Sequence, residues 1–129
     1  MAAPNRAGDW LRQAIDDLAW AADTLRGGRF AQACFVCQQA AEKALKAIAF
    51  ARGFDRVRGH SILKVAKALG IDGEIEAAAR KLDLYYMTTR YPDALPSGAP
   101  FEFFDKSQAE DALRLATAIV DRARNEVPA

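Results

Sequence analysis

The stretch FAQACFVCQQAAEKALKAIAFAR, Phe30 to Arg52, decides the fold. It runs without Gly or Pro and is filled with Ala, Leu, Gln, Glu and Lys, residues that lose little rotamer freedom in a helix. Phe30, Ala33, Cys34, Cys37, Ala41, Ala44, Leu45 and Ile48 recur in steps of three and four, which marks one continuous apolar stripe. A second line, Val36, Ala40, Ala47 and Phe50, leaves only Gln38, Gln39, Glu42, Lys43 and Lys46 as a polar strip. A helix this apolar has to be flanked on several sides, so it is predicted at the centre of a bundle. Gly27-Gly28 stops the helix before it, and Gly53 ends it.

Working outward, Asp9 is the predicted N-cap of a first helix. Its stripe is Trp10, Leu11, Ala14, Ile15, Leu18, Ala21, Ala22 and Leu25, with Asp16, Asp17 and Asp23 on the solvated side. Residues 1–7 are expected to fray. After Gly53 a basic connector, FDRVRGHS, leads to a short third helix from about Ser61 to Leu69, closed by Gly70. Asp72 is the predicted cap of a fourth helix that carries Ile75, Ala78, Ala79, Leu82, Leu84, Tyr85, Tyr86 and Met87 toward Arg90, where Pro92 stops it. YPDALPSGAPFEFF reads as a loop, with Phe101, Phe103 and Phe104 pinning it to the bundle or to a partner chain. Ser107 to Glu110 reads as a capping box for the last helix, whose stripe runs from Ala109 to Ala123. The alternation and turn signals of strands are absent. The expected product is all-α: an antiparallel up-and-down bundle of four long helices plus one short one, in one domain spanning 1–129.

Composition excludes several classes. The formal charge of +1 leaves no broad electrostatic footprint for nucleic acid, so such a contact has to come from a local patch. No apolar run approaches the roughly 20 residues of a membrane span. The start MAAPNRAGDW has no apolar h-region and there are two cysteines, so a reducing cytoplasm is expected. Cys34 and Cys37 form a CxxC, but in mid-helix and with no second pair, whereas a structural zinc site takes about four ligands. Buried packing is their expected role, and no metal or cofactor is expected.

His60 is the only histidine. Between Arg52 and Lys67, Arg52, Arg56, Arg58, Lys64 and Lys67 face Asp55 alone, a formal +4 beside a helix start. This reads either as solvated surface or as an anion site, since helix N-termini with basic neighbours suit phosphate. If the helices alternate in direction, Lys46, His60 and the segment Arg90-Tyr91-Pro92-Asp93 meet at one end, with Lys43 one turn above Lys46. Arg90 could then fork onto phosphate while Tyr86 or Tyr91 stacks on a base. The plainer alternative is an ion-pair cluster of Glu42, Arg90 and Asp93.

CQQAAEKALKA in the second helix, GHSI at the third and YYMTTRYPDA ending the fourth resemble, in order and spacing, the HEPN family of small helical nucleotide-binding domains, from about Trp10 to Val127. The resemblance implies a helical bundle, commonly a homodimer, often working with a nucleotidyltransferase partner in toxin–antitoxin-like systems. It places the family's polar signature on Gln39, Glu42, Lys43, Lys46, His60, Tyr86, Arg90, Tyr91 and Asp93. Nuclease branches of the family use Arg-x(4–6)-His. Here Arg52, Arg56 and Arg58 precede His60 with seven, three and one intervening residues, so the motif is not matched. The resemblance therefore implies binding of a nucleotide or RNA phosphate through Lys43, Lys46, His60, Tyr86, Arg90, Tyr91 and Asp93. A metal-independent endoribonuclease using His60 and a non-catalytic interaction module are the alternatives.

Overall fold

The computed structural model describes residues 6–128. About 73% of the described residues are helical, 3-10 turns included, and none of them is in a strand. The helices are α1 (Ala7–Arg26), α2 (Phe30–Ala51), α3 (Ile62–Ala68), α4 (Glu74–Asp83), α5 (Tyr85–Thr88) and α6 (Lys106–Glu126). Two 3-10 turns, Pro92–Ala94 and Pro100–Glu102, shape the loop between α5 and α6. No described helix is long and apolar enough to cross a membrane.

α2 is the axis of the bundle, as its composition predicts: fifteen of its 22 residues are buried. It packs chiefly against α1 and α6, and more lightly against α3, α4 and α5. Alanines at 33, 40, 41, 44 and 47 let neighbouring backbones come close, while Leu45 and Ile48 fill the space between. Full burial of each large aliphatic side chain stabilises by about 1.5–3 kcal/mol. The α1–α2 turn needs Gly28, whose φ of 77° lies in the left-handed region. There Arg29 N–H donates to the Thr24 carbonyl and closes the helix end.

Several local expectations are corrected. α1 begins at Ala7, which is buried, so fraying does not reach that residue; residues 1–5 lie outside the described part. Asp9 is not the cap but a first-turn carboxylate paired with Arg6 and Arg12. Asp17 is not solvated: it is buried, accepting from Gln13 and Lys43. Gly73, not Asp72, stands at the N-cap of α4, with φ of 69°. The long fourth helix is divided at Leu84, whose N–H bonds the Lys81 carbonyl three residues back. That tighter step re-phases the chain so that Tyr85 turns inward and Leu84 outward.

At α6 the capping box belongs to Asp105 and Gln108, two residues earlier than the Ser107–Glu110 pair: Gln108 N–H donates to Asp105 Oδ1 at 2.9 Å, and Asp105 N–H donates to Gln108 Oε1 at 2.8 Å. Asp105→Ala should therefore cost about 1 kcal/mol in a denaturant melt, while Ser107→Ala stays within about 0.5 kcal/mol of the parent. Equal losses from the two substitutions would place the cap elsewhere.

Candidate functional site

One face of α2, traced by Phe35, Gln38, Gln39, Glu42 and Lys46 at helical spacing, carries the polar core of the molecule. Gln38, Glu42 and Lys46 are all buried, at 0%, 5% and 7% exposure, so much of the expected solvated strip is interior. Burial of such groups is tolerable only with partners, and each has them. Gln38 Nε2 donates to the His60 carbonyl at 3.0 Å and Gln38 Oε1 accepts from Gln39 Nε2 at 2.7 Å. Glu42 Oε2 accepts from Lys46 Nζ at 3.3 Å, and Glu42 Oε1 lies 3.0 Å from His60 Nδ1.

The connector after α2 thus folds back along the helix and brings His60 to its middle, not to the Arg52 end. Arg52 is held elsewhere, on Glu126 and the Leu69 carbonyl. The α3 N-terminus beside His60 is already occupied from within. Asp83 of α4 accepts from Ile62 N–H at 2.9 Å, Leu63 N–H at 3.0 Å and Ser61 Oγ at 2.9 Å, while Ser61 caps Lys64 N–H.

His60 stacks on Tyr86, ring centroids 4.5 Å apart, and Tyr86 lies 6.4 Å from Phe35. Arg90 completes the group. Its Cζ is 4.4 Å from the Phe35 centroid, 4.6 Å from Tyr86 and 4.8 Å from Tyr91, and Nε donates to the Tyr86 carbonyl at 2.9 Å. A guanidinium on three ring faces is oriented by cation–π attraction without being neutralised. Among the described residues no carboxylate lies within ion-pair distance of Arg90. The ion-pair cluster weighed from sequence therefore does not form: Glu42 takes Lys46 and His60, and Asp93 stands exposed in its 3-10 turn.

So His60, Tyr86, Arg90 and Tyr91 lie along one connected group of contacts that Lys46 joins from the interior through Glu42, Asp93 sits beside it in sequence, and Lys43 turns to α1 and pairs with Asp17. Phe35 and Asp83 belong to the cluster but lie outside the motifs, and Gln38 lies within CQQAAEKALKA without standing out from its neighbours. Phe35 could have been found, since it shares the helical register of Gln39, Glu42 and Lys46. The exposed cations Arg56, Arg58, Lys64 and Lys67 are a solvated fringe of the connector and α3.

Cys34 and Cys37 are unpaired and fully buried, and burial pushes both thiols up to about 12. The thiolate is the reactive form, so both should resist iodoacetamide at pH 8 in the native protein and react once it is unfolded. Fast native alkylation, read by mass spectrometry, would contradict the burial.

An all-helical bundle wrapped around a buried Gln–Glu–Lys line, with a free guanidinium on an aromatic platform, defines the class of protein. The family follows from comparison: the HEPN domain model matches residues 7–126, and the chain belongs to that family. TT1696 from Thermus thermophilus is similar at 43% identity and a TM-score of 0.90, over 96% of this chain and 100% of that one. ST0689, an archaeal HEPN homologue, is 34% identical with a TM-score of 0.84, over 97% of this chain and 100% of that one. The HEPN domain protein tm0613 from Thermotoga maritima is 32% identical with a TM-score of 0.71, over 91% and 95%. No curated protein matches the sequence.

Proposed function

We propose that this HEPN-domain chain binds the phosphate of a nucleotide or polynucleotide, as a homodimer working with a nucleotidyltransferase partner in a toxin–antitoxin-like pair. The observation that carries the reading is Arg90: a guanidinium fixed over Phe35, Tyr86 and Tyr91 with no carboxylate on it. Such a fork is suited to a phosphate, which it can meet with two parallel N–H donors. His60 supplies a neighbouring imidazole, and the exposed Tyr91 offers a ring to a base. Lys43 and Lys46 border the site with their charges already balanced by Asp17 and Glu42. Exposed Leu84 and Met87, one turn apart at α5, support a homodimer contact, since exposed apolar surface favours association.

Phosphate or a nucleotide binds only the folded state and should raise Tm as RT ln(1 + [L]/Kd). Arg90→Ala should abolish that rise, whereas Lys67→Ala, on the exposed face of α3, should keep it. No rise in the parent protein, or one indifferent to Arg90, would refute the reading.

One observation favours a second reading, a metal-independent endoribonuclease. With the Glu42 carboxylate accepting from Nδ1–H, His60 has Nε2 available as a proton acceptor, the arrangement a general base needs. RNA cleavage that survives chelators and is lost in His60→Ala would put this reading first.

A further inference from the structure

A second aromatic and cationic surface lies at the other end of the same line of α2 residues. A cavity of about 540 Å³ opens between α1 and α2, lined by Arg6, Asp9, Trp10, Arg12, Gln13 and Lys43. Its charges do not cancel. Arg6 and Arg12 share the single Asp9 carboxylate, leaving one cation in surplus, while Lys43 is balanced by Asp17. Trp10 forms an aromatic wall, braced from behind by Phe50 at 5.8 Å.

This cavity is joined to the Arg90 site rather than isolated from it. Lys46 Nζ lies 5.7 Å from the Trp10 ring centroid and 3.3 Å from Glu42, and the other oxygen of Glu42 reaches His60. The line reads Trp10, Lys46, Glu42, His60, Tyr86, Arg90. Its two ends repeat one composition, an aromatic face beside an uncancelled guanidinium charge, and its middle is a neutral buried pair. Along α2 the ends are set by Lys46 and Phe35, eleven residues apart, or about 16 Å at the helical rise. That is at most about five nucleotides of stacked strand at ~3.4 Å each, and more than one nucleotide covers. Two stacking platforms, each beside an uncancelled cation, suit single-stranded nucleic acid, because a duplex hides its base faces.

We propose that the Trp10–Arg6–Arg12 cavity is a second stacking subsite, and that the ligand class of this site is a single-stranded oligonucleotide rather than a mononucleotide. The proposal rests on the Arg90 reading above for the first subsite.

The test uses the full chain in a Trp20→Phe background, which leaves Trp10 as the sole tryptophan, with a mononucleotide, a dinucleotide and a tetranucleotide of one base. Affinity should rise at least about fivefold from mononucleotide to tetranucleotide, the lower end of one base stack, and only the tetranucleotide should quench Trp10 fluorescence. Trp10→Ala and Arg12→Glu should each remove that gain and leave mononucleotide binding unchanged, whereas Arg90→Ala weakens every length. If Trp10→Ala fails to fold, Arg12→Glu carries the test, because Arg12 is exposed and its substitution leaves the Trp10 packing in place. Equal affinity at all lengths, or a gain that survives both substitutions, would overturn the second subsite while leaving Arg90 binding intact. Absence of any Arg90-dependent binding would overturn the first reading, and this one with it.

Discussion

Glu42→Leu is expected to destabilise the protein by about 3–5 kcal/mol, the loss seen when one partner of a buried ion pair is removed. Glu42 and Lys46 both lie below one-tenth exposure, and the 3.3 Å contact between them is the only ion pair that Lys46 makes among the described residues. Removing the carboxylate leaves an ammonium between Trp10 and an apolar side chain, and takes the acceptor from His60. At roughly 3–5 °C per kcal/mol for a chain of this size, Tm should fall by about 10–25 °C. Lys46→Met should cost less, because Glu42 keeps His60 as a partner. The double variant should be more stable than Glu42→Leu alone, since neither charge is then stranded. A double variant that is the sum of the two singles would show that the pair is not coupled.

The Glu42 result bears on what a sequence can disclose. The hydrophobic period of α2 is strong enough to reveal a central helix, because apolar residues occupy nearly every inward position. The same logic misjudges Gln38, Glu42 and Lys46. A polar residue on a helix is read as solvated unless some partner is known, and the partners beyond α2, His60 for Gln38 and Glu42 and Trp10 for Lys46, lie on other elements. Asp17 fails in the same way: beside its local partner Gln13, the charge that balances it, Lys43, lies on α2. Helix starts show the limit at shorter range. Asp105 and Ser107 both precede acceptable capping partners, and the difference is the φ and ψ of one residue. At Leu84 the chain keeps helical angles while its hydrogen bond tightens, so the sequence through Asp83 and Tyr85 carries no break signal.

The site was legible in part, and for a related reason. His60, Tyr86, Arg90 and Tyr91 sit in short motifs whose resemblance to a family names them, and topology alone brings the third and fourth helices against the second. Their position was not legible. Alternating helices put Lys46, His60 and the Arg90–Asp93 segment at one end, but the connector after Gly53 reverses and runs beside α2, so His60 meets Glu42 at mid-helix. A connector's path depends on where its backbone groups find partners. Here the partner is the Gln38 side chain, 22 residues away from His60 in sequence.

Asp83→Ala should be the second most damaging substitution, at about 2–4 kcal/mol, although Asp83 is neither fully buried nor part of any motif. Its carboxylate satisfies two backbone N–H groups at the start of α3 and one hydroxyl. α3 has seven residues, too few to persist without tertiary support. An acidic group at that helix start also complements the partial positive charge of the unpaired amides. Asp83→Asn keeps one acceptor oxygen and the shape, so it should lose roughly half as much as alanine. The functional consequence follows from position: His60 immediately precedes Ser61, and α3 anchors that end of the connector. With the anchor gone, His60 loses its stack on Tyr86 and its contact with Glu42, and anion-dependent stabilisation should drop even though Asp83 touches no ligand. Hydrogen exchange would locate the effect, as faster exchange at Ile62 and Leu63 with α6 amides unchanged. If Asp83→Ala instead melts like the parent and keeps its anion response, the start of α3 is held by Ser61 alone, and the arrangement of His60 has another cause.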